Sequence, residues 1–463
     1  MDVVVIETPQ LGDRSYLVHD GSVALVIDPQ RDTDRIEAAA READVRITHV
    51  AETHLHNDYV TGGLLLAEAH GAAYLVNADD HVEFSRVPVS DGQVLHVGRL
   101  TVTVVATPGH THTHLSYVVR EDAHDGGTEA VFSGGSLLYG SVGRTDLVSP
   151  DDTAKLAHDQ YSSVRRLVSS ASPGAALYPT HGFGSFCSVG PSSKVNASTI
   201  GQQAAANHAL TDPNEDHFVA ELLENITAYP AYYAHMSPLN AAGPGVANLQ
   251  VPDSVDAAEL SRRLGAGEWV VDLRHRVAFA DSHLQGSVSF EYGRGDNFTS
   301  YLGWVIPWNQ PLTLLGPLDE VEKAIRDLAR IGIDGPDAAV GPDATVLNVG
   351  ALAPDHPRAS YEHGDWAALL KDREPEDVVL DVRRPEEYKA SHVKGALNVP
   401  VYELLGRITE LPDARIWVHC ATGYRASVAA SLLDRAGRDV VLINAKFRDA
   451  AGVGIETVSY QAR

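Results

Sequence analysis

The sequence predicts a multidomain α/β protein, and three observations support this fold class. The chain has 463 residues, of which 44% are hydrophobic, and this length is enough for about three domains. Over the first half of the chain, short β-branched runs alternate with helical stretches. In the second half, a weak internal repeat carries an Asp-x-Arg strand end and a His-x-x-Gly turn in each copy. Such alternation is typical of sheets with parallel strands.

Composition and charge exclude some partners and locations. The 62 acidic and 36 basic residues give a formal net charge of −26, which repels phosphate backbones and anionic lipid surfaces. We therefore expect neither nucleic acid nor a membrane as a partner. The first residues lack the features of a signal peptide, and no apolar run approaches the length of a membrane span. These features predict a soluble, cytoplasmic protein, and they leave open whether it forms a homo-oligomer.

The first predicted domain covers residues 1–235 and contains a mixed sheet. The expected strands are 3–7, 23–27, 47–51, 100–106 and 115–119, and the expected helices are 33–42 and 151–170. Residues 236–250 are rich in Pro, Gly and Asn without any period, which predicts a linker.

Two copies of a small α/β module follow this linker. They are predicted at residues 251–345 and 352–463, separated near residue 350 by a stretch dense in Gly, Pro and Asp. Four residues recur in both copies at the same spacings. They are Asp272, Arg274, His283 and Gly286 in the first copy, and Asp381, Arg383, His392 and Gly395 in the second.

A thiol loop is the main chemical feature of the second copy. Residues 415–419 predict a buried strand and residues 426–436 predict a helix, with Cys-Ala-Thr-Gly-Tyr-Arg between them. Cys420 then lies at a helix N-terminus, where inward-pointing N–H groups, the helix dipole and Arg425 stabilise a thiolate. Gly423 and Arg425 at these offsets favour a reactive thiol over an inert buried cysteine. A thiolate there can attack a sulfane sulfur and hold it as a persulfide.

The length of this loop separates two chemistries that share its geometry. Phosphatase loops have one more residue between Cys and Arg, whereas four residues separate Cys420 from Arg425. Together with the upstream stretch LDVRRPEEYKASHVKGALNVP, this region resembles the rhodanese family, and the resemblance implies a persulfide carried on Cys420. The first copy has PLTLLGPLDEVEKAI at the corresponding strand end and no cysteine. We therefore predict that residues 251–345 form an inactive rhodanese-like module.

The first domain carries a histidine constellation that predicts a metal site. The expected strand 47–51 is followed by T-H-L-H-N-D-Y, and the strand 100–106 by T-P-G-H-T-H-T-H. Five imidazoles and one carboxylate thus lie just beyond strand ends, where loops can bring them together. Imidazole with carboxylate suits zinc or non-haem iron and suits magnesium or calcium poorly.

These motifs, with F-S-G-G-S-L-L at 132–138, G-R-T-D at 143–146 and Y-P-T-H-G-F-G-S-F-C at 178–187, resemble the metallo-β-lactamase superfamily. The match is to its persulfide dioxygenases, especially those fused to tandem rhodanese modules. The resemblance implies an αββα sandwich followed by two rhodanese-like domains with parallel sheets. It also implies one iron, held by His54, His110 and a carboxylate at position 135.

The sequence departs from that family at two ligand positions, because residue 135 is Gly and the last histidine of the HxHxDH motif is Tyr59. The surviving ligands are His54, His56 and His110, with Asp58 and His181 from the second site of the superfamily. They predict one Fe(II) or Zn(II) in the first domain, held weakly because neutral imidazoles do not offset the charge of a dication. Restoring a carboxylate by Gly135→Asp is expected to tighten binding. His112 and His114 are expected to face solvent or to support the ligands from behind.

Three further residues are candidate substrate contacts. Arg144 in the Gly-Arg-Thr-Asp turn can contact a carboxylate of a thiol cofactor, or it can pair with the turn's own Asp. Cys187 lies in a glycine-rich loop after His181, where it either approaches the pocket or is buried packing. Gly423 in the thiol loop is the third.

The leading hypothesis is a sulfur-metabolism enzyme with two steps. A low-molecular-weight thiol persulfide is oxidised at the metal site, and sulfane sulfur passes through Cys420 to an acceptor, as in sulfide detoxification. One alternative is a sulfurtransferase whose first domain has lost its redox chemistry. Another is a thioester hydrolase like glyoxalase II, and a third is a sensor of sulfur species.

Overall fold

The computed structural model describes residues 1–121, 127–189, 195–293, 298–341 and 349–460. The chain forms two compact units. The first contains Met1–Ala247 and Ala329–Gly332, and the second contains Asn248–Leu328 and Ile333–Arg463. Both are α/β structures, as predicted. The predicted module end at residue 345 lies outside the described residues, as do residues 461–463.

Two six-stranded sheets form the framework of the first unit. One sheet has the order β1 (Asp2–Thr8), β2 (Asp13–His19), β3 (Val23–Ile27), β4 (Arg46–Ala51), β5 (Ala73–Asn77) and β6 (Val87–Val89). The other runs from β7 (Val94–Val97) through β8 (Leu100–Ala106), β9 (Leu115–Glu121), β10 (Thr128–Gly134) and β11 (Ala176–Pro179) to β12 (Ser198–Thr199). The sheets are mixed, because β3 to β6 pair in parallel whereas β7 to β10 pair antiparallel.

Helices cover the outer face of each sheet, which gives a helix–sheet–sheet–helix sandwich. The main core lies between the sheets and contains buried residues of both, such as Ile27 and Phe132. The helices α1 (Asp34–Glu42) and α2 (Gly63–His70) pack on the first sheet. The second sheet is covered by α3 (Thr153–Ser169), α4 (Ile200–Ala206), α5 (His208–Thr211) and α6 (Glu215–Glu224). Alternation along each strand sends one set of side chains to each layer.

The segment predicted as a linker is structured over its first half. The helix α7 spans Tyr233–Ala242 and contains Pro238. Asn240 is fully buried, and its amide donates hydrogen bonds of 2.9 Å to the carbonyls of His56 and Tyr59. The linker prediction was therefore wrong for residues 236–242, because these tertiary hydrogen bonds outweigh the helix-breaking composition.

The second unit begins with a four-stranded parallel sheet of order β15–β13–β16–β17. Its elements are α8 (Ala257–Gly265), β13 (Trp269–Asp272), α9 (Arg276–Asp281), β14 (His283–Leu284), β15 (Val288–Ser289), α10 (Phe298–Val305), β16 (Leu312–Pro317), α11 (Leu318–Arg330) and β17 (Asp337–Gly341). The short elements α12 (Val349–Leu352) and β18 (Arg358–Ala359) follow, and β18 pairs with β14.

A five-stranded parallel sheet of order β19–β24–β23–β20–β22 completes this unit. Its elements are β19 (Glu362–Gly364), α13 (Trp366–Asp372), β20 (Val378–Asp381), α14 (Pro385–Ala390), β21 (His392–Val393), β22 (Leu397–Asn398), α15 (Leu404–Arg407), β23 (Ile416–His419), α16 (Tyr424–Arg435), β24 (Val440–Ile443) and β25 (Thr457–Val458). Within the described parts of the chain, none of the helices is long and apolar enough to cross a membrane.

The internal repeat has the same local structure in both copies. Arg274 pairs with Asp272 and also donates to the carbonyl of Ser282, at 2.7 and 2.9 Å. Arg383 likewise pairs with Asp381, and it donates to the carbonyl of Ser391 at 2.7 Å. Each arginine thus ties the end of a strand to the end of the following helix.

Candidate metal and thiol sites

Four strand ends deliver the polar residues of the first site. His54 follows β4, His110 follows β8, Gly135 follows β10, and His181 follows β11. The three histidine side chains are completely buried, although an imidazole normally prefers partial contact with water. Their burial at a shared edge indicates a built site rather than an incidental cluster.

The ring nitrogens of His54, His110 and His181 converge. One nitrogen from each ring lies within 4.8 Å of the other two, and the Nε2 atoms of His54 and His181 are 3.5 Å apart. The Nε2 atom of His110 is buried and has no hydrogen-bond partner among the described residues. An unsatisfied buried nitrogen is costly, and a transition metal would satisfy it while also binding the other two rings.

The opposite ring nitrogens are held by hydrogen bonds that orient the cluster. His110 Nδ1 donates to the carbonyl of Arg144 at 2.7 Å, and His54 Nδ1 lies 2.9 Å from the Thr53 hydroxyl. His181 Nδ1 lies 2.8 Å from Asp13 and 3.1 Å from Asp58. With Nδ1 of each ring engaged, Nε2 of His54 and of His110 presents a lone pair to the cluster, as metal-ligating histidines do. His181 would do the same once a metal displaces its Nε2 proton.

Burial and neighbouring charges shift the pKa values of these rings in different directions. Burial lowers the pKa of His110 to about 3, and the nearby His181 contributes to the shift. Burial also lowers the pKa of His54 well below its ordinary value. For His181, the carboxylates of Asp58 and Asp13 outweigh burial and raise the pKa well above its ordinary value. Two neutral rings therefore face a positively charged His181 that pairs with Asp58, and a bound metal cation would take the place of the His181 proton.

His56 is not part of this three-histidine group, which differs from the predicted set of His54, His56 and His110. Its Nε2 faces Asp28 at 3.3 Å and Glu52 at 3.4 Å, and it lies 2.9 Å from the Tyr59 hydroxyl. His56 belongs instead to a second possible ligand group with Asp58 and His181. The sequence analysis missed Asp28 and Glu52, which bind Nε2 of His56 although its ring lies only 4.1 Å from the ring of His54.

Gly135 leaves space that the ring of His110 fills. A Cβ atom placed on Gly135 would lie 2.2 Å from Cδ2 of His110, which is far inside van der Waals contact. The Gly135 amide donates to Nε2 of His114 at 3.0 Å. A side chain at position 135 would therefore require the His110 ring to move, and this cost opposes the gain in metal affinity predicted for Gly135→Asp.

The two remaining histidines of the second loop differ in location. His114 is fully buried and stacks on His54 with a centroid distance of 4.9 Å, so it supports the cluster from behind. His112 is exposed and lies 3.2 Å from Asp152.

Arg144 and Cys187 have structural surroundings. Arg144 is buried, pairs with both oxygens of Asp146 at 2.7 Å, and donates to the carbonyls of Phe186 and Thr227. Arg144 thus pairs with the Asp of its own turn, which was the alternative to a contact with the carboxylate of a thiol cofactor. Cys187 is fully buried, and burial raises the pKa of its thiol well above the ordinary value, with Asp58 and Asp13 adding to the effect. Neither residue has the surroundings of a substrate contact.

The thiol loop in the second unit joins β23 to α16 with Cys420 buried at its start. The Gly423 amide donates to Cys420 Sγ at 3.1 Å, so the loop provides an N–H group for negative charge on sulfur. Gly423 has a φ of +104°, and a Cβ there would lie 2.6 Å from Asn444 and 2.8 Å from Arg276. Both the backbone conformation and the space require glycine at this position.

Arg425 is held in place by a carboxylate. Its guanidinium makes two contacts with Glu387, of 2.5 and 2.8 Å. Although burial opposes ionisation, Arg425 lowers the pKa of Glu387 to about 2. Arg425 thus anchors the start of α16 to α14. Its positive charge near Cys420 is partly balanced by Glu387.

Residues of the cysteine-free copy reach the thiol loop within the second unit. Arg276 is bound by Glu291 at 2.7 Å, and its Nη1 lies 3.4 Å from the carbonyl of Thr422. The ring of Tyr301 lies 6.0 Å from that of Tyr424, and Trp304 stacks on Tyr402 at 4.2 Å. Sequence reasoning missed these residues because the contacts join positions about a hundred residues apart or more.

Comparisons with known proteins assign a family to the part of the chain around each site. Residues 11–182 match the metallo-β-lactamase superfamily, and residues 364–448 match the rhodanese-like domain. A crystal structure of a metallo-β-lactamase from Staphylococcus aureus subsp. aureus COL shares 25% identity, with a TM-score of 0.66, and the match covers 73% of this chain and 98% of that one.

Two curated relatives indicate the chemistry of the first domain's family. "Persulfide dioxygenase ETHE1, mitochondrial" of Homo sapiens is 27% identical over 209 residues, which cover 43% of this chain and 70% of that protein. A hydroxyacylglutathione hydrolase of Acidiphilium cryptum (strain JF-5) is 33% identical over 122 residues, covering 26% of this chain and 50% of that protein.

The first unit is thus a metallo-β-lactamase-superfamily domain. The chain joins this domain to a C-terminal rhodanese-like domain and has persulfide dioxygenases among its homologues, which confirms the resemblance found in the sequence. This combination supports a role in sulfur metabolism. The number of rhodanese-like modules and the module boundaries stay predictions.

Proposed function

We propose that the protein is a sulfur-metabolism enzyme with two active sites. The first oxidises a low-molecular-weight thiol persulfide, and the second transfers sulfane sulfur through Cys420. The observation that carries the proposal is that one chain contains both a convergent cluster of buried histidines and a cysteine loop with an N–H group at the sulfur.

The residues of the first site fit a single transition metal. His54, His110 and His181 would hold it, since their Nε2 atoms face one another and Nδ1 of each is engaged elsewhere. Iron(II), when bound, supplies the capacity to activate dioxygen, and three protein ligands leave positions for substrate. Overall, one persulfide, one O2 and one water give one thiol and one sulfite with two protons.

The chain's own residues orient this cluster. Arg144 offers its carbonyl to His110, and Asp13 and Asp58 face His181. His181 outweighs burial and lowers the pKa of Asp58, so Asp58 contributes negative charge that compensates in part for the absence of a carboxylate at position 135. Burial and Asp58 raise the pKa of Asp13 to about 8, so Asp13 acts mainly as a hydrogen-bond partner of His181.

Sulfur transfer at Cys420 proceeds by displacement on sulfur. The thiolate attacks the outer sulfur of a donor such as thiosulfate, a new S–S bond forms, and sulfite leaves with the electron pair of the old bond. The persulfide then passes its outer sulfur to an acceptor such as cyanide, and the thiolate is regenerated. The Gly423 amide supports the negative charge on Sγ in the free enzyme.

The thiosulfate–cyanide reaction tests this site. Cys420→Ser removes the sulfur nucleophile while keeping the side chain small and polar, so we expect loss of thiocyanate formation with an unchanged metal content. The matched control is Cys187→Ser, which removes the buried thiol of the first unit and leaves transfer intact. Activity of Cys420→Ser near that of the wild type would contradict the assignment.

A hydrolase of the glyoxalase II type is the second candidate for the first site. It is favoured by the second ligand group of His56, Asp58 and His181, which shares His181 with the first group and could extend it to two metals. The hydroxyacylglutathione hydrolase relative supports the same candidate. Hydrolysis of S-lactoylglutathione by zinc-loaded protein, with no persulfide-dependent oxygen uptake after iron loading, would favour this function.

A further inference from the structure

A cavity of ≈ 550 Å³ lies against the loops that carry the histidine cluster. Leu55 and Asn57, which alternate with His54, His56 and Asp58 along the chain, line it, and so do Thr111 and His112, which follow His110. The three cluster histidines are buried behind these loops and do not line the cavity, so a substrate with its body here would have to extend its sulfur inward to reach the cluster.

The charge of the cavity wall is acidic. Asp79 and Asp80 line it together with His81, and no Lys or Arg occurs among its lining residues in the described part of the chain. Arg144, the cation expected from the sequence to meet a substrate carboxylate, is bound by Asp146 instead. A substrate body that carries carboxylates would meet like charge here, which costs binding energy.

Asp80 is the feature that indicates a ligand of particular chemistry. Its side chain is 7% exposed, and its Oδ1 accepts a hydrogen bond of 2.5 Å from the Thr113 hydroxyl. Its Oδ2 is buried and has no hydrogen-bond partner among the described residues. Burial raises the pKa of this carboxyl and Asp79 adds to the shift, whereas the Thr113 hydroxyl and Arg86 oppose it. An unsatisfied carboxylate oxygen in a cavity wall is stabilised when a ligand brings a cationic donor close to it.

We propose that this cavity binds the body of an amine-bearing, carboxylate-poor thiol, with Asp80 as the residue that recognises the ammonium group. The inference rests on the proposed persulfide chemistry at the histidine cluster and adds the chemical class of the thiol. It predicts discrimination against thiols whose bodies carry carboxylates.

Three small thiols of matched length test the proposal, since they differ only in the group at the far end. They are cysteamine with an ammonium, 2-mercaptoethanol with a hydroxyl, and 3-mercaptopropionate with a carboxylate. Their dissociation constants are measured anaerobically by calorimetry on the metal-loaded full chain. We expect cysteamine to bind tightest and 3-mercaptopropionate weakest, with about a tenfold difference between these two.

The ratio of the two dissociation constants is then compared between the wild type and Asp80→Asn. This comparison cancels the differences in thiol acidity, because the same thiols meet the same metal in both proteins. Asp80→Asn should bring the ratio close to the value set by the metal alone. Asp79→Asn is the matched control, and because Asp79 is exposed and screened by solvent it should change the ratio less.

Two outcomes would overturn the proposal. One is a wild-type protein that binds 3-mercaptopropionate as tightly as cysteamine or more tightly, or that binds none of the three. The other is an unchanged ratio in an Asp80→Asn protein whose thermal unfolding matches the wild type. Oxygen uptake with each persulfide is recorded separately. The predicted binding order without uptake contradicts the oxidation proposal alone, whereas uptake with the opposite preference contradicts only the assignment of the thiol.

Discussion

At the scale of single residues, the direction of each ring decides which histidines can hold a metal together. The ring nitrogens of His54, His110 and His181 converge. Nε2 of His56 instead lies 3.3 Å from Asp28 and 3.4 Å from Glu52, and these carboxylates outweigh burial and raise the pKa of His56 to about 9. An experiment can therefore distinguish the set of His54, His110 and His181 from the set predicted from the sequence, in which His56 takes the place of His181.

His181→Ala should therefore weaken metal binding more than His56→Ala. We expect a loss in affinity on the order of 10- to 100-fold for His181→Ala, because one of three converging nitrogens is gone. The measurement is metal content by elemental analysis after dialysis against a graded chelator. A larger loss for His56→Ala than for His181→Ala would return His56 to the primary ligand set.

Position 135 gives a second test at this scale. Gly135→Asp should lower metal affinity, since its Cβ would displace the His110 ring that now lies 2.2 Å from the Cβ position. Gly135→Ala adds the same Cβ without a carboxylate, so it measures the steric effect alone. Tighter metal binding by Gly135→Asp than by the wild type would mean that His110 moves aside and the carboxylate becomes a ligand.

The sequence could predict the positions of these residues better than their partners. His54, His110 and His181 follow predictable strands, so their meeting at one edge of the sandwich was accessible from the pattern. The direction of the His56 ring could not be predicted from the pattern, because it depends on Asp28. This residue follows β3 directly and has a φ of +52°. Asp28 and Asp80 also follow strands. An acidic residue just after a strand end was therefore the signal by which the sequence could have indicated both as candidate site residues.

At the scale of elements, the thiol loop depends on a helix outside its own module. Arg276 at the start of α9 lies 3.4 Å from the Thr422 carbonyl, directly before the glycine whose amide donates to Cys420. This contact gives the cysteine-free copy a positioning role for the loop. Elements that follow local patterns, such as α3, were predictable, whereas this contact and the buried Asn240 of α7 depend on distant chain segments.

Arg276→Ala should lower the kcat of sulfur transfer more than it raises the KM for thiosulfate, because the loop loses order while the thiol remains. Arg276→Lys keeps a donor and should recover part of the rate. The rate of Cys420 alkylation by iodoacetamide provides a readout independent of turnover and should change in the Ala variant. Unchanged alkylation and transfer rates in Arg276→Ala would contradict the positioning role of Arg276 for the thiol loop.

At the scale of the whole molecule, the two proposed active sites lie in two compact units. The histidine cluster is built entirely from residues of the first unit, and the described contacts of Cys420 come from the second. Each reaction should therefore survive the loss of the other's key residue. The predicted acidic balance, with a net charge of −26, also belongs to this scale and disfavours polyanionic partners.

The most direct test of the two-site account is oxygen uptake by iron-loaded Cys420→Ser protein after addition of a thiol persulfide. This variant cannot carry sulfur on the thiol loop, so any uptake comes from the histidine cluster. We expect about one O2 consumed and one sulfite formed for each persulfide, as the reaction stoichiometry requires. The absence of uptake in protein that demonstrably carries iron at the cluster would contradict the account.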